Sequence, residues 1–539
     1  MGEPPDTTDE GRIPFRLRIG VTGHRRLDDE GAMAERLAEV LRRIRQGVPT
    51  SPRTPLVFTV VSPLAEGADR LVAREILLER QADLEVPLPL PRDEYERDFG
   101  SDESRHEFDE LLARAKEVTV LGPGDEREAA YERAGRYVVD RCDVLIALWD
   151  GDTSGGQGGT ADVVAYARER GVPLMWIVAR RPYDIVEEAG ARIGGESARE
   201  LDRFDRAEFP RARFDDEVRR QAAKRSSAAR DWALPGLPVE GLSAWLWPFY
   251  VRADLLAQHH QRWYQALETA LFLMAAGAVA AVAGQVLFAP EHPELVLTEV
   301  ALMLGLLLVV VAGRRLRLHD RWISYRFLAE RFRSAFFLAA AGLGGRREGG
   351  LERVHRGQES EEWLRRAFAE VWGGRPKVEI GASQVNGLRS FLAEAWIGDQ
   401  IRYHQVTSRK NALRHRRLTG AIAFLFAITL LAALLHSFGI GGHGSAGTPP
   451  WANALSFLAI ALPALGGALG GVRAQGEYVR QSERFGRMAL HLEDARRRME
   501  AAPDLETVRK LAAEAEELML DETRDWFAVV RFHDFELHV

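Results

Sequence analysis

Three glycine-bearing loops in the first third of the chain carry the residue types best suited to bind a phosphorylated ligand. They are Gly20-Val21-Thr22-Gly23-His24-Arg25, Ser62 with Ala65-Glu66-Gly67-Ala68-Asp69, and Gly158-Gly159-Thr160, which Gly155, Gly156 and Gln157 precede. Glycine lets the backbone approach a phosphate, and a helix that follows such a loop offers free N–H groups and the positive end of its dipole. The loops therefore predict a pocket for a nucleotide-type ligand.

Alternating strands and helices must position these loops. The sequence predicts a first strand that begins at Phe15, followed by strands Leu56–Val61, Leu84–Leu90, Val118–Leu121, Val144–Trp149 and Pro173–Val178, with helices between them. This alternation is typical of a Rossmann-like, doubly wound parallel sheet, an α/β fold. Ligands bind such sheets beyond the carboxyl ends of the strands, which is where all three loops and Asp150 fall.

The loop pattern differs from two common phosphate-binding motifs, because neither a Gly-Lys-Ser/Thr sequence nor a Gly-x-Gly-x2-Gly sequence follows a strand. It resembles the SLOG superfamily of Rossmann-like domains, which bind nucleotide-derived ligands, over about residues 15–179. The resemblance implies a pocket lined by Gly23, Arg25, Ser62, Glu66, Gly67, Asp69 and Gly158–Thr160. We add Gly20, Thr22, His24 and Asp150 as candidate ligand-binding residues. His24 either contacts the ligand or only caps the turn that follows it.

The same superfamily contains lonely-guy-type phosphoribohydrolases, which cut a base from a nucleotide. Their signature is Gly-Gly-x-Gly-Thr-x2-Glu with a catalytic final Glu, but here Val163 stands three residues after Thr160. Asp162 is one position early, so helical geometry turns it about 100° away. This departure favours sensing over catalysis, and we assign no catalytic residue and no metal ligand. Glu66, Asp69 or Asp150 could still act as an acid or base, so hydrolysis remains the alternative.

Four apolar runs in the second half of the chain predict membrane spans. They are Ala270–Phe288, Leu295–Ala312, Leu418–Leu435 and Ala454–Val472, each near the ~20 residues that a helix needs to cross a bilayer. Lys and Arg flank each hairpin at the end opposite its loop, whereas the hairpin loops contain neither. By the positive-inside rule, both termini and the α/β head are expected in the cytoplasm, with long cytoplasmic helices beyond the spans.

The sequence indicates that the two hairpins are copies of one duplicated unit. The pattern Tyr-x4-Glu-Arg-Phe occurs after each, at Tyr325 with Glu330 and at Tyr478 with Glu483, and an Asp-x4-His pattern precedes each. The segments 322–331 and 399–404 and the stretch from Glu516 to Trp526 resemble the SLATT family, which comprises two-transmembrane effector modules of bacterial conflict systems. The resemblance runs from about Leu242 to the C terminus. Many members have one hairpin, so two hairpins leave the number of subunits in a pore open.

Candidate pore or gating residues lie in the fourth span and on the duplicated motif. They are Pro463, Gly466, Gly467, Gly470 and Gly471 in the span, and Glu330 and Glu483 on the motif. The Gly-x3-Gly spacings serve either close helix packing or a gating hinge at Pro463. Glu330 and Glu483 either form ion pairs with Arg326 and Arg480 or line a charged vestibule.

The composition of the chain argues against one class of function, and the sequence predicts six divisions of the chain. A net charge of −7 over 539 residues argues against a nucleic-acid scaffold, and Cys142 is the only cysteine, so no intrachain disulfide can form. The predicted divisions are a disordered lead (1–14), the SLOG-like head (15–180), a helical connector (181–241), a first SLATT-like unit (242–345), a connector (346–387) and a second SLATT-like unit (388–539).

These observations predict an effector in the bacterial inner membrane that a nucleotide-derived signal opens. The expected ligand is a cyclic nucleotide or an ADP-ribose derivative, with no further cofactor. The expected partners are the lipid bilayer, further copies of the chain and an enzyme that makes the signal, and the family context implies anti-phage defence. The runner-up is a membrane-anchored phosphoribohydrolase, and a transporter is disfavoured because the spans hold few charged groups.

Overall fold

The chain forms two compact units in a computed structural model, which describes residues 10–79, 81–122, 126–152, 158–188, 193–232, 237–343, 359–438 and 450–530. One unit comprises Met1–Phe209 with Leu351–Gly374, and the other comprises Pro210–Gly350 with Arg375–Val539. Gly155, Gly156 and Gln157 of the third glycine loop lie outside the described residues, as do residues 1–9 of the predicted lead.

The first unit is built on a seven-stranded, mostly parallel sheet. Its strands are β1 (Phe15–Gly23), β2 (Leu56–Val61), β3 (Asp83–Leu88), β4 (Glu117–Val120), β5 (Val144–Trp149), β6 (Leu174–Val178) and β7 (Ile185–Glu188). Their spatial order is β4-β3-β2-β1-β5-β6-β7, and only β7 runs antiparallel to its neighbour. The six predicted strands are confirmed, whereas β7 was missed because it is a short, partly exposed edge strand with two glutamates.

Helices connect these strands. They are α1 (Glu30–Gly47), α2 (Ala68–Leu77), α3 (Arg92–Tyr95), α4 (Asp102–Ala113), α5 (Arg127–Arg141), α6 (Thr160–Glu169) and α7 (Gly195–Arg206). The chain moves along the sheet in one direction from β1 to β4 and in the other from β5 to β6. Right-handed crossovers therefore place α1 and α2 on one face and α5 and α6 on the other. The sequence reading missed α3 and α4, although the Ser101 hydroxyl caps α4 by accepting from the Ser104 N–H at 3.2 Å.

The core of this unit lies under the central strands. Every residue of β5 is buried, because β1 and β6 flank the strand and helices cover it. An apolar run without alternation is what a strand buried on both faces requires. The strand packs in a cluster with Val138 and Val139 of α5 and with Val163 and Val164 of α6.

A further helix, α12 (Glu359–Gly373), belongs to this unit although it follows the first hairpin in sequence. Arg16 at the start of β1 holds Glu370 through two contacts, of 2.6 and 2.8 Å. Arg366 donates two hydrogen bonds to Asp143, which directly precedes β5. The chain therefore returns to the amino ends of the head strands between its two membrane hairpins.

The second unit is helical. Its helices are α8 (Arg211–Asp231), α9 (Val239–Phe288), α10 (Val296–Leu316), α11 (Leu318–Ala340), α13 (Val385–Phe391), α14 (Asp399–Ser437), α15 (Pro450–Gln475), α16 (Tyr478–Glu500) and α17 (Leu505–Val530). A π-helical turn, Leu392–Gly398, joins α13 to α14. Helix α9 has 50 residues and so extends about 75 Å, well beyond a bilayer core.

Four helical stretches of the described chain are long and apolar enough to cross a membrane. They are Val239–Phe288, Pro293–Ala340, Ala382–Ser437 and Asn453–Glu500. Only 6% to 11% of the apolar window in each is buried within the chain. Such exposed apolar surface requires a nonpolar environment, so the helices are those of a membrane protein.

The two hairpins share one packing scheme. In the first, α9 packs against α10 and α11; in the second, α14 packs against α15 and α16. Helix α15 also packs along α9, and hydrogen bonds join the two helices near both ends. Asn453 donates to the Leu287 carbonyl at 2.8 Å, and Gln475 donates to the Glu268 carboxylate at 3.1 Å.

The repeat is not matched residue by residue. A single left-handed residue ends the returning span in each hairpin, Arg317 with φ of 45° and Glu477 with φ of 41°. Arg317 precedes Tyr325 by eight residues, whereas Glu477 directly precedes Tyr478. The duplicated motif therefore begins two helical turns later in α11 than in α16.

Candidate ligand site at the carboxyl ends of the head strands

The strand order creates a crevice at the carboxyl ends of β1 and β5. Ile19 to Gly23 of β1 pair with Val144 to Leu148 of β5, and the connections leave these two strands in opposite directions. In open α/β sheets this switch point is where ligands bind. The three predicted loops follow β1, β2 and β5, so the fold brings them to one edge of the sheet.

His24 and Asp150 join the loops on either side of the crevice. The Asp150 backbone N–H donates to His24 Nε2 at 3.1 Å, and Asp150 Oδ1 lies 3.1 Å from the same nitrogen. The Asp150 carboxylate accepts from the Asp152 N–H and from Arg180, and these contacts lower the pKa of Asp150 to about 2 despite the opposing effect of burial. Asp150 therefore stays ionised at neutral pH and cannot act as a general acid there.

Asp69 and Ser62 hold the second loop from inside. The Ser62 hydroxyl donates to Asp69 Oδ2 at 2.8 Å, and the Ala65 N–H donates to the same oxygen at 3.3 Å. Both side chains are buried, and burial raises the pKa of Asp69 to about 6. These two predicted ligand contacts thus have a structural task of their own.

Glu66 also bonds within the protein. Its carboxylate accepts from the Gly100 N–H at 3.0 Å and from the Ser104 hydroxyl. Burial opposes ionisation, but these hydrogen bonds outweigh it and lower the pKa of Glu66. Glu66 therefore fixes the start of α4 beside the second loop.

Two of the predicted glycines allow the first two loops to touch each other. A Cβ atom on Gly23 would lie 2.5 Å from both Ala68 Cβ and the Leu148 carbonyl oxygen. Gly67 has φ of +77°, and a Cβ there would lie 2.5 Å from the His24 carbonyl oxygen. The same carbonyl accepts from the Ala68 N–H at 3.0 Å, so these glycines serve contact between loops. Gly20 is likewise a packing position, because its Cβ would meet Cys142.

The described part of the third loop, from Gly158 onward, leads directly into α6. Gly159 precedes α6, and its carbonyl accepts from the N–H groups of Asp162 and Val163. Gly158 donates its N–H to the Asp162 carboxylate at 2.8 Å. The amides of Thr160 and Ala161 at the start of α6 supply N–H groups and a positive dipole end of the kind that bind phosphate elsewhere.

Val163 is a packing residue. Its side chain is 7% exposed and belongs to the apolar cluster of β5, α5 and α6. A Cβ on Gly135 would lie 2.5 Å from Val163 Cγ2, so the two helices are in close contact here. Val163, which stands where the phosphoribohydrolase signature has its catalytic glutamate, therefore faces the core of this protein.

Sequence reasoning missed a group of buried polar side chains beside the second loop. Tyr95 is 1% exposed and its hydroxyl has no hydrogen-bond partner among the described residues, while Arg70 is 2% exposed. The guanidinium of Arg25 lies 5.4 Å from the centre of the Tyr131 ring, and the Tyr131 hydroxyl donates to Asp98. Tyr95, Asp98 and Tyr131 lie outside the glycine loops, so no sequence motif predicted that they would lie near the site.

The two motif glutamates have different surroundings. Glu330 pairs with Arg326 at 2.6 Å and with Arg333, and Arg326 lies 3.5 Å from Asp254. Glu483 is exposed and lies in an open groove between α14 and α16. Arg480, its expected partner, pairs with Glu477 at 2.8 Å.

The glycines of the fourth span also differ from one another in their surroundings. A Cβ on Gly471 would lie 2.3 Å from the Phe272 ring of α9, so this glycine permits close packing. A Cβ on Gly466, Gly467 or Gly470 would meet no described atom within 4 Å. Pro463 lies inside α15.

The chain matches no protein-family model and no curated protein.

Proposed function

We propose that this protein is a membrane effector that a nucleotide-derived ligand opens from its α/β head. One observation carries the proposal: a parallel sheet with phosphate-suited loops at its switch point and four apolar helices belong to the same chain. The head binds the ligand, and the helices then form a pore in the membrane or disrupt it.

The head is suited to an anionic, nucleotide-sized ligand. The helix start at Gly159 and Thr160 takes a phosphate, and Arg25 with its neighbour Tyr131 lies beside the second loop, where a guanidinium and an aromatic ring can hold phosphate and base. Cyclic nucleotides and ADP-ribose derivatives combine these two groups.

The orientation follows from charge. The second apolar run is followed by Arg314, Arg315 and Arg317, and the third is preceded by Arg409, Lys410 and Arg414. Both groups lie at the end of a hairpin that is opposite its loop. By the positive-inside rule, we expect these ends, the long helices beyond them and the head to lie in the cytoplasm. We propose the inner membrane of a bacterium as the location of the protein. Further copies of the chain complete the assembly, and a partner enzyme supplies the ligand during phage infection.

The described contacts disfavour the enzymatic alternative. Val163 is buried in place of the hydrolase glutamate, and Asp150 is ionised and held by Arg180. A membrane-anchored phosphoribohydrolase would release a free nucleobase, which chromatography of the reaction mixture detects directly.

Two head helices provide a route from ligand to membrane. In the chain, α7 precedes the first hairpin and α12 precedes the second, and the two helices pack together with the Phe204 and Trp363 rings 6.2 Å apart. Asp205 of α7 accepts from the Ile13 N–H at 3.0 Å and from Thr54 at 2.9 Å, near the starts of β1 and β2. A ligand that shifts the strands therefore acts on the attachment points of both hairpins, provided that it binds one state better than the other.

The test is ion leak from liposomes that contain the purified full-length protein. The added probes are ADP-ribose, cyclic ADP-ribose, cyclic AMP and cyclic di-AMP, one at a time. We expect one probe to cause leak at a concentration that leaves protein-free liposomes intact. No leak with any probe, together with nucleobase release from one of them, would replace the effector by the anchored enzyme.

A matched pair of variants tests the site. Gly159 precedes α6 with φ of −75°, a conformation that any residue adopts, and both Asp and Asn are good helix caps. Gly159→Asp places a negative charge where the phosphate binds, whereas Gly159→Asn does not. We expect the first variant to lose the nucleotide response and the second to keep it. Equal responses would refute the assignment of this loop.

A further inference from the structure

A cavity of about 500 Å³ lies inside the helical unit where its two repeats meet. Helices α9 and α11 of the first repeat and α14, α15 and α16 of the second contribute to its wall. The cavity adjoins the apolar runs, because Glu268 stands two residues before Ala270 and Asn411 stands seven before Leu418.

Two polar stripes, one on each of two helices, line this cavity. Helix α14 contributes Gln400, His404, Thr407 and Asn411, and helix α9 contributes Gln261, Gln265 and Glu268. Intervals of three and four residues place each set along one face of its helix. One stripe comes from each repeat, so the cavity exists only because both hairpins are present in one chain.

The polar groups on α14 are buried within the protein yet border open space. Gln400 and His404 are each 4% exposed and Asn411 is 6% exposed. His404 Nδ1 has no hydrogen-bond partner among the described residues. A buried polar group without a partner costs about 1–3 kcal/mol, and a polar cavity of this size is large enough for several water molecules. We therefore expect water in the cavity to satisfy His404 Nδ1.

The charged side chains of the wall balance. It carries Glu268, Glu330 and Glu477 against Arg326, Arg414 and Arg484. Glu268 also accepts from Gln475 at 3.1 Å, which fixes one repeat to the other beside the spans. A neutral wall lined with amides suits passage of hydrated ions of either sign, since no large field repels them.

We propose that this cavity is the water-filled entrance of the pore and that the two repeats of a single chain build it. The proposal rests on the pore function proposed above. It places the ion path between α9 and α14 of one chain.

Substituted cysteines test the entrance. Cys142 is the only native cysteine; burial raises its pKa to about 12, so it reacts little with thiol reagents. Thr407→Cys and Gln261→Cys place a thiol on each polar stripe. Arg402→Cys is the exposed control and Ala335→Cys, at 1% exposure on α11, is the buried control. The reagent is a charged methanethiosulfonate that does not cross membranes, added to protein in nanodiscs.

We expect both stripe cysteines to react at a rate near that of Arg402→Cys and far above that of Ala335→Cys. Protection equal to that of Ala335→Cys, as in a dry or lipid-filled cavity, would overturn the proposal. Labelling needs no ligand, so it tests the cavity even if no nucleotide causes leak.

Leak measurements test whether the cavity belongs to the ion path. Modification of Thr407→Cys should reduce nucleotide-triggered leak from liposomes, whereas modification of Arg402→Cys should not. Full labelling with unchanged leak would refute the entrance. Absence of leak in the wild-type protein with every probe, together with nucleobase release from one of them, would instead refute the pore function itself.

Discussion

Arg366 should hold α12 on the head, and its loss should free the second membrane repeat from ligand control. Its guanidinium donates to both oxygens of Asp143, with Nη1 at 2.9 Å, and the side chains are 22% and 10% exposed. In Arg366→Gln, Asp143 retains the Arg18 N–H at 2.8 Å and therefore keeps one donor. Loss of two charge-assisted bonds at a mostly buried site costs about 2 kcal/mol. The ratio of protein with α12 attached to protein with α12 detached should therefore fall about thirtyfold.

Hydrogen exchange measures this detachment directly. In detergent-solubilised full-length protein, the amides of residues 362–373 should exchange about thirtyfold faster in Arg366→Gln than in the wild type. Arg365→Gln is the matched control, because Arg365 is 52% exposed and pairs with Glu362 of the same helix at 3.5 Å. Unchanged protection in Arg366→Gln, or equal loss in both variants, would show that the Asp143 pair does not hold the helix. Faster exchange with an unaltered nucleotide response would refute α12 as a route.

Three further predictions concern stability. Because burial raises the pKa of Asp69 from 3.8 to about 6, the folded protein keeps a proton that the unfolded chain loses between these pH values. Stability should therefore fall by about 2 kcal/mol as pH rises from 4 to 6, and denaturant titrations of Asp69→Asn should lack this part of the fall. Gly67→Ala should cost about 2 kcal/mol because of its positive φ and the nearby His24 carbonyl, whereas Gly47→Ala, whose Cβ meets no described atom within 4 Å, should be neutral in the same titrations. Gly471→Ala should lower the melting temperature in detergent because its Cβ overlaps the ring of α9, whereas Gly467→Ala should not; equal shifts would contradict the packing assignment.

Local pattern was sufficient for most elements of this fold, although not for β7, α3 and α4. The β-branched and apolar runs of β2 and β5 have the length and composition of buried strands, and the runs in α10 and α15 are too long and apolar for a soluble core. Helix α4 was missed because its sequence is highly charged, so its short apolar face, Phe108 and Leu111, gives little periodic signal.

The roles of the site residues could not be predicted in the same way. A glycine that admits a phosphate and a glycine that admits another loop have the same local sequence. Gly23 and Gly67 are explained by atoms of Ala68 and His24, and only the register of β1 against β5 and the course of α2 bring those atoms close. The same holds for Gly158 of the third loop, which has φ of +80° and where a Cβ would lie 2.8 Å from the Glu132 amide nitrogen. The candidate ligand residues remain predictions.

The topology also limits how a head signal can reach the membrane. Helices α7 and α12 attach at the amino ends of the strands, through Asp205 and Arg366, whereas the glycine loops lie at the carboxyl ends. A ligand therefore cannot touch either attachment and must act through the strands between them. Strand β1 has contacts at both ends, with Arg16 bound to Glu370 and His24 bound to the Asp150 amide. If β1 transmits the signal, then Arg16→Gln should weaken the nucleotide response without reducing nucleotide affinity, because the ligand loops keep their own contacts. A parallel loss of affinity, measured by calorimetry, would show instead that Arg16 only supports the fold of the head.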